Sequence, residues 1–187
     1  MTIKSACSSV GLALHLAIQS IRLGECSSAL VAGANLIMSP GMSITMTAQL
    51  TLSPDGSSKA FDAAANGYGR GEGVTALYVK RLDEAVRDGN PIRAVIRGSA
   101  INVDGKTSGI AMPNVKAHES LIRAAYKDAN LDFLQTAMVE CHGTGTSVGD
   151  PIEVNAIANC FGNNGLYIGS VSFELFAKLI IHLLNRM

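Results

Sequence analysis

The chain has 187 residues, fifteen basic and fifteen acidic side chains that cancel, 48% apolar composition, 5% aromatics and no tryptophan. That length is enough to bury a substantial core in one domain or in two halves of one. The balanced charge, with no basic stripe along any segment, excludes a nucleic-acid partner and an anionic membrane surface. The four cysteines, Cys7, Cys26, Cys141 and Cys160, show no C-x-x-C spacing, and no secretory signal opens the sequence, so reduced thiols in a cytoplasmic compartment are expected.

In chain order, Val10, Leu12, Ala13, Leu14, Leu16, Ala17, Ile18, Ile21 and Leu23 recur at helical spacing and stop at Gly24. The serines ahead of them are suited to capping. Residues 29–37 read as a buried strand, 42–50 as a short helix, and 51–73 as a glycine-rich loop long enough to suggest a functional one. A strand over 73–80, a helix over 82–87 and a turn at 88–91 follow, the turn marking the most credible internal boundary. Residues 92–101 read as a strand, 102–114 as loop and 115–129 as a helix with Leu121, Ile122, Ala125 and Ala129 in register. Residues 133–140 lead into another strand, and Gly149-Asp150-Pro151 opens a helix with Asp150 as N-cap and Pro151 as its first residue. A last strand spans 166–171, and Phe176, Leu179, Ile180 and Leu183 mark the apolar face of a final helix. Strands alternating with helices argue for α/β layers. Residues 173–184 are the nearest thing to a membrane segment, but Glu174, Lys178 and His182 interrupt a run too short to span.

Two stretches carry chemistry. Ser5-Ala6-Cys7-Ser8-Ser9 places a cysteine among small residues at a helix N-terminus, where the macrodipole favours negative charge and suits a thiol acting as nucleophile. A buried structural cysteine is an equal reading of the same stretch. His142-Gly143-Thr144-Gly145-Thr146 leaves a strand toward a helix: its glycines admit a ligand to the backbone, its threonines offer hydroxyls, and His142 can donate a hydrogen bond or move a proton. Asp150 and Glu153 follow at a distance from which a helix can aim a carboxylate back at the loop. The run from Gly67 to Gly73 fails as a dinucleotide fingerprint, because Glu72 stands where the third glycine belongs and the run precedes a strand; Arg70 and Glu72 are expected to pair with nearby groups instead. No pair has metal-ligand spacing, since the adjacent Cys141 and His142 diverge on a strand. His15 and His118 read as structural, and Ser8 and Ser9 lack the G-x-S-x-G setting of a hydrolase.

Taken together, ACSS at 6–9, SPDG at 53–56, FDAAANGYGRGEG at 61–73, IRGSAINVDG at 96–105 and HGTGTSVGDPIE at 142–153 resemble the β-ketoacyl synthase domain of type I polyketide synthases. The resemblance implies a thiolase-like layered αβαβα fold, incomplete at both ends. Residues 1–90 correspond to the later part of the first ketosynthase half and 91–187 to the beginning of the second. It implies decarboxylative Claisen condensation in polyketide or fatty-acid biosynthesis: Cys7 accepts an acyl chain as a thioester and yields it to a malonyl-type extender. His142 would stabilise the developing enolate, Thr144 and Thr146 hold the pantetheine arm, and the Cys7 N–H serve as an oxyanion donor, with Asp150 and Glu153 in support. No bound cofactor or metal is implied. The partners are an acyl carrier protein with its phosphopantetheine arm, acyl and malonyl-type thioesters, and a second copy in a homodimer. The HGTGT and GDPIE pair disfavours a thiolase or chalcone-type synthase acting on free coenzyme A.

Residues 172–187 depart from the pattern. Family members continue Gly-Ser-Val with lysine and, further on, a second histidine; here Ser172 and Ala177 hold those positions, and Lys178 and His182 are out of register. Glu153 is therefore expected to lack its lysine partner. The expected outcome is a chain inactive in condensation by itself, with a non-catalytic truncated or degenerate fragment, a gene-model or amplicon product, as the alternative.

Overall fold

The computed structural model describes residues 1–109, 112–162 and 165–170. The apolar repeat that starts at Val10 folds as α1 (Ser9–Arg22), which buries Leu14, Ile18 and Ile21. Its serines do not cap it in the expected way: Ser8 holds the N-cap position with helical dihedrals and no side-chain cap bond. The serine hydroxyls bond among residues 5–9 instead. The chain returns as β1 (Ser28–Asn35), crosses α2 (Gly41–Ala48), and pairs antiparallel through β2 (Gly73–Lys80), with Val31 opposite Leu77. Leu14, Ile18 and Val31 form a core with Val10, Ala13, Ala17, Leu77, Val79 and Ile96 around it. Each such aliphatic side chain contributes about 1.5–3 kcal/mol when fully buried. Strand alternation sends the opposite set outward, and that set is apolar too: Leu30 faces Tyr78, Ala32 faces Ala76 and Ala34 faces Val74, with Leu30, Tyr78 and Val74 about 70% exposed.

After α3 (Leu82–Arg87) the turn at Gly89 takes positive φ, as the sequence suggests. The strand expected over 92–101 is not formed among the described residues. Two of its backbone groups go to side chains: the Arg97 carbonyl accepts from Arg22 Nη2 at 3.4 Å and the Ser99 N–H donates to Asp128 Oδ2 at 2.9 Å, while Ile96 packs on the α1 core. The segment thereby connects α1 with the second half.

The second half builds α4 (Val115–Ala129), a 3-10 turn (Phe133–Gln135), β3 (Met138–Glu140), α5 (Gly149–Phe161) and β4 (Tyr167–Gly169). Asn114 caps α4 by accepting from the N–H groups of Lys116 and Ala117, and Asn130 ends it in the left-handed conformation that asparagine tolerates. Strands β3 and β4 pair in parallel, with Val139 opposite Ile168. Tyr126, Cys141, Ile157 and Phe161 form the core here. Phe133 stacks on Tyr126 at 4.3 Å, and Phe161 meets both rings edge-on at 5.0 and 5.5 Å. The final helix expected around Phe176–183 and the departures at Ser172 and Ala177 lie outside the described residues.

The halves are joined through α1 and α4. Arg22 Nη1 donates to both oxygens of Asp128 at 2.8 and 3.0 Å, and His15 Nδ1 lies 3.0 Å from Ser99 Oγ. The Arg22 guanidinium is the main cause that holds the Asp128 carboxyl below the ordinary value of 3.8. A lowered folded-state value means that the pair's contribution is present above that ordinary value and is lost as pH falls through the folded one. Asp128→Asn should therefore melt below wild type at pH 5–7, and the gap should close on acidification below about pH 3.8, as followed by circular dichroism melts across pH. A gap that stays constant with pH is the contrary result.

Candidate active site

HGTGT has no secondary structure of its own, so its backbone must find partners elsewhere. It finds them on α5. Asp150 and Glu153 stand three residues apart on one face of that helix, 4% and 9% exposed. Glu153 Oε1 accepts the His142 N–H at 2.8 Å and Oε2 the Gly143 N–H at 2.9 Å. Asp150 Oδ1 accepts from Gly145 and Thr146 at 3.1 and 3.3 Å, and Oδ2 from the Phe61 N–H at 2.8 Å. The expectation that a helix would aim carboxylates back at the loop is met.

One detail of the sequence reading changes. Asp150 is the second residue of α5 rather than its N-cap; Val148 occupies that position without a side-chain bond. Thr146 does the capping, its Oγ1 accepting the Gly149 N–H at 3.1 Å. Asp150 is thereby left to bind the loop. Glu153, with serine at the position of its expected lysine partner, is bonded by two backbone amides.

Residues 51–73 close over the same loop. The Gly67 N–H donates to the Gly145 carbonyl at 2.9 Å. Gly145 has φ +72°, and a Cβ there would lie 2.8 Å from the Lys59 amide nitrogen, so both the turn and the approach require glycine. Phe61, bonded to Asp150 and packed on the core of the second half, holds φ +63°. The sequence reading assigned it no role: FDAAANG marks the motif, but nothing in it signals a left-handed phenylalanine. Within the Gly67–Gly73 run, Arg70 donates to Ser43 Oγ at 2.9 Å and Glu72 accepts the Ile37 N–H, the local pairing expected of them.

His142 has its N–H held by Glu153, while its carbonyl lies 3.2 Å from Ser170 Oγ. His142 is exposed, whereas Cys141 before it is buried, so the two side chains diverge although β3 ends at Glu140. Thr144 and Thr146 are half-buried with hydroxyls 3.1 Å apart. One of their two hydroxyl protons joins them, and the other remains to donate to an acceptor outside the pair. His142, Thr144, Thr146, Asp150 and Glu153 thus form one unit of loop and helix.

Cys7 stands in the other half, at the entrance to α1. It is exposed in this chain, and Ala6 before it has φ +54°. The remaining cysteines differ: Cys141 is buried, Cys26 and Cys160 are half-buried, and burial is the main cause pushing the Cys160 thiol up from its ordinary value. Among the described residues no group of three or more His, Cys, Asp or Glu side chains is placed to hold a metal, and no helix is long and apolar enough to cross a membrane.

Comparisons with known proteins agree with this arrangement. The family model for the β-ketoacyl synthase N-terminal domain matches residues 1–85, and that for the C-terminal domain matches residues 93–173. A highly reducing polyketide synthase of Fusarium sp is 60% identical over 172 residues, 91% of this chain and 7% of that protein. The squalestatin hexaketide synthase of Phoma sp. is 58% identical over 178 residues, 93% of this chain and again 7% of the relative. The chain thus spans less than a tenth of the length of these relatives. Among solved structures, the ketosynthase from module 6 of the bacillaene synthase of Bacillus subtilis superposes with a TM-score of 0.88 at 42% identity, covering 92% of this chain and 32% of that one. An oxazolomycin ketosynthase domain of Streptomyces albus gives 0.85 at 36% identity, covering 90% of this chain and 30% of its own. The fold is therefore the α/β, thiolase-like fold of ketosynthases. With both halves matched by consecutive family models and HGTGT anchored on its own helix, the chain belongs to the β-ketoacyl synthase family, as part of a polyketide synthase ketosynthase domain.

Proposed function

We propose that this chain carries the acyl-accepting cysteine and the extender-binding loop of a ketosynthase that performs decarboxylative Claisen condensation. The observation that carries the reading is the exposed Cys7 on a strained turn at the head of α1, in a chain that separately fixes HGTGT by its backbone.

In the first step the Cys7 sulfur attacks the carbonyl carbon of an acyl thioester. The new S–C bond forms, the C–S bond to the carrier breaks, and the carrier thiol leaves with the proton. The Cys7 N–H serves as a donor to the tetrahedral oxyanion. In the second step a malonyl-type thioester loses carbon dioxide, and the electron pair left on carbon attacks the acyl carbon and expels the Cys7 thiolate. His142 hydrogen-bonds the developing enolate oxygen. The spare proton of the Thr144 and Thr146 pair suits an amide carbonyl of a phosphopantetheine arm, and the likeness to polyketide synthases supports an acyl carrier protein as its bearer. Residues 1–90 and 91–187 are the portions of the two ketosynthase halves, Asp150 and Glu153 the supports, and the parent domain a cytoplasmic homodimer.

Ser172 and Ala177 stand where the family has a lysine and a second histidine, so the isolated chain is assigned acyl acceptance without condensation. Intact-mass measurement after incubation with an acyl thioester should show one acyl adduct. Cys7→Ala should abolish it, while Cys26→Ala, Cys141→Ala and Cys160→Ala should retain it; labelling spread over the four cysteines contradicts the assignment. Adding malonyl carrier protein should give no β-ketoacyl product by mass spectrometry, and any such product would show that Ala177 and Ser172 do not disable the site. Glu153→Ala strands the amides of His142 and Gly143 and should cost about 2–5 kcal/mol in urea denaturation, whereas a loss under about 1 kcal/mol would mean the loop holds without its anchor.

A further inference from the structure

The turn that presents Cys7 is held by a side chain the reaction above does not use. Ser9 Oγ accepts the Ser5 N–H at 2.9 Å and donates to the Ala6 carbonyl at 2.7 Å, spending its one proton on that carbonyl. The Ser9 N–H reaches the same carbonyl at 3.2 Å. These bonds close a ring from Ser5 to Ser9 with Cys7 inside it, and Ala6 within the ring has φ +54°. A non-glycine residue keeps such a φ only where its surroundings over-determine it. Ser8 adds a second tie, its Oγ donating to the Ser5 carbonyl at 2.7 Å with the Ser5 hydroxyl 3.0 Å away. The first residue of α1 therefore reaches back over the nucleophile instead of capping its own helix.

We propose that Ser9 is a positioning residue for acyl transfer, holding the Ala6–Cys7 peptide so that the Cys7 sulfur and the Cys7 N–H address the same thioester carbonyl. The role rests on the reading of Cys7 as acyl acceptor. It does not rest on carrier-protein delivery, so a small thioester such as hexanoyl-N-acetylcysteamine probes it: the Cys7 S–C bond forms, the thioester C–S bond breaks, and N-acetylcysteamine leaves as the thiol. Without Ser9 Oγ the sulfur stays accessible, but the amide no longer stays aligned with the developing oxyanion.

The test is single-turnover acylation of the 187-residue chain by that thioester, read by intact mass, in wild type, Ser9→Ala, Ser9→Thr and Cys7→Ala. Ser9→Ala should lower the saturating rate about tenfold or more while the half-saturating thioester concentration changes less than about threefold. Ser9→Thr, which returns a hydroxyl at the same position, should recover most of the rate. Alkylation by iodoacetamide, which forms no oxyanion, should change less than about twofold in Ser9→Ala, showing that the sulfur is still presented. Acylation of Ser9→Ala at the wild-type rate overturns the proposal, and so does a loss that Ser9→Thr does not recover or that iodoacetamide shares in full. If Cys7→Ala is acylated as well as wild type, the reading of Cys7 falls and the role of Ser9 with it. A wild-type adduct lost in Cys7→Ala but indifferent to Ser9 sinks this inference alone.

Discussion

Two carboxylates on one turn of α5 hold five backbone N–H groups, those of Phe61, His142, Gly143, Gly145 and Thr146. Burying Asp150 and Glu153 carries a desolvation cost that only such charge-assisted bonds offset. The return is a loop with no ladder or helix of its own whose path is nonetheless set, because both ends of each carboxylate are committed. Through Phe61 the same anchor reaches the glycine-rich segment 51–73 and draws it over the loop. The local architecture is thus built from α5 outward, and the residues with chemistry to do are carried by it.

The remainder of the molecule supplies two rigid bodies for that anchor and for Cys7. In the first half α1 lies on the β1–β2 ladder through aliphatic side chains. In the second, Tyr126, Phe133 and Phe161 lock α4, the 3-10 turn and α5 together. Between them Ile96 packs on the α1 core and Phe61 on the core of the second half, and polar contacts add to these: Arg22 Nη1 bonded to both oxygens of Asp128, and the His15–Ser99 contact. Such bonds are directional, so they define the angle between α1 and α4 more sharply than apolar packing of equal area does.

How much of this can be read from the residues depends on the range of the forces involved. Helices α1 and α4 and strand β2 stand in the sequence because apolar periodicity and local stops determine them, and the cysteine and HGTGT motifs carry the family. The strand expected over 92–101 is absent among the described residues, and its Arg97 carbonyl and Ser99 N–H bond Arg22 and Asp128, which are distant in sequence. Asp150 leaves the capping role that its local context suggests because Thr146 fills it and its carboxylate takes the nearby amides of Gly145 and Thr146 and the remote one of Phe61. The left-handed Phe61 leaves no compositional trace, since its partner Asp150 lies far away in sequence, whereas the backward reach of Ser9 is a local bond to Ser5 and Ala6 that competes with the capping role.

The way α5 grips the loop also sets what the loop tolerates over evolutionary time. The bonds from its two carboxylates go to amides, which every residue except proline possesses, while the Thr146 hydroxyl also caps the helix. Proline is barred from positions 61, 142, 143, 145 and 146 by hydrogen bonding alone, and the glycines add a steric bar at 145. Elsewhere in the loop, side chains can drift while the scaffold persists. A member of such a lineage can lose its chemistry one side chain at a time and still present a loop of unchanged shape to whatever thioester it meets.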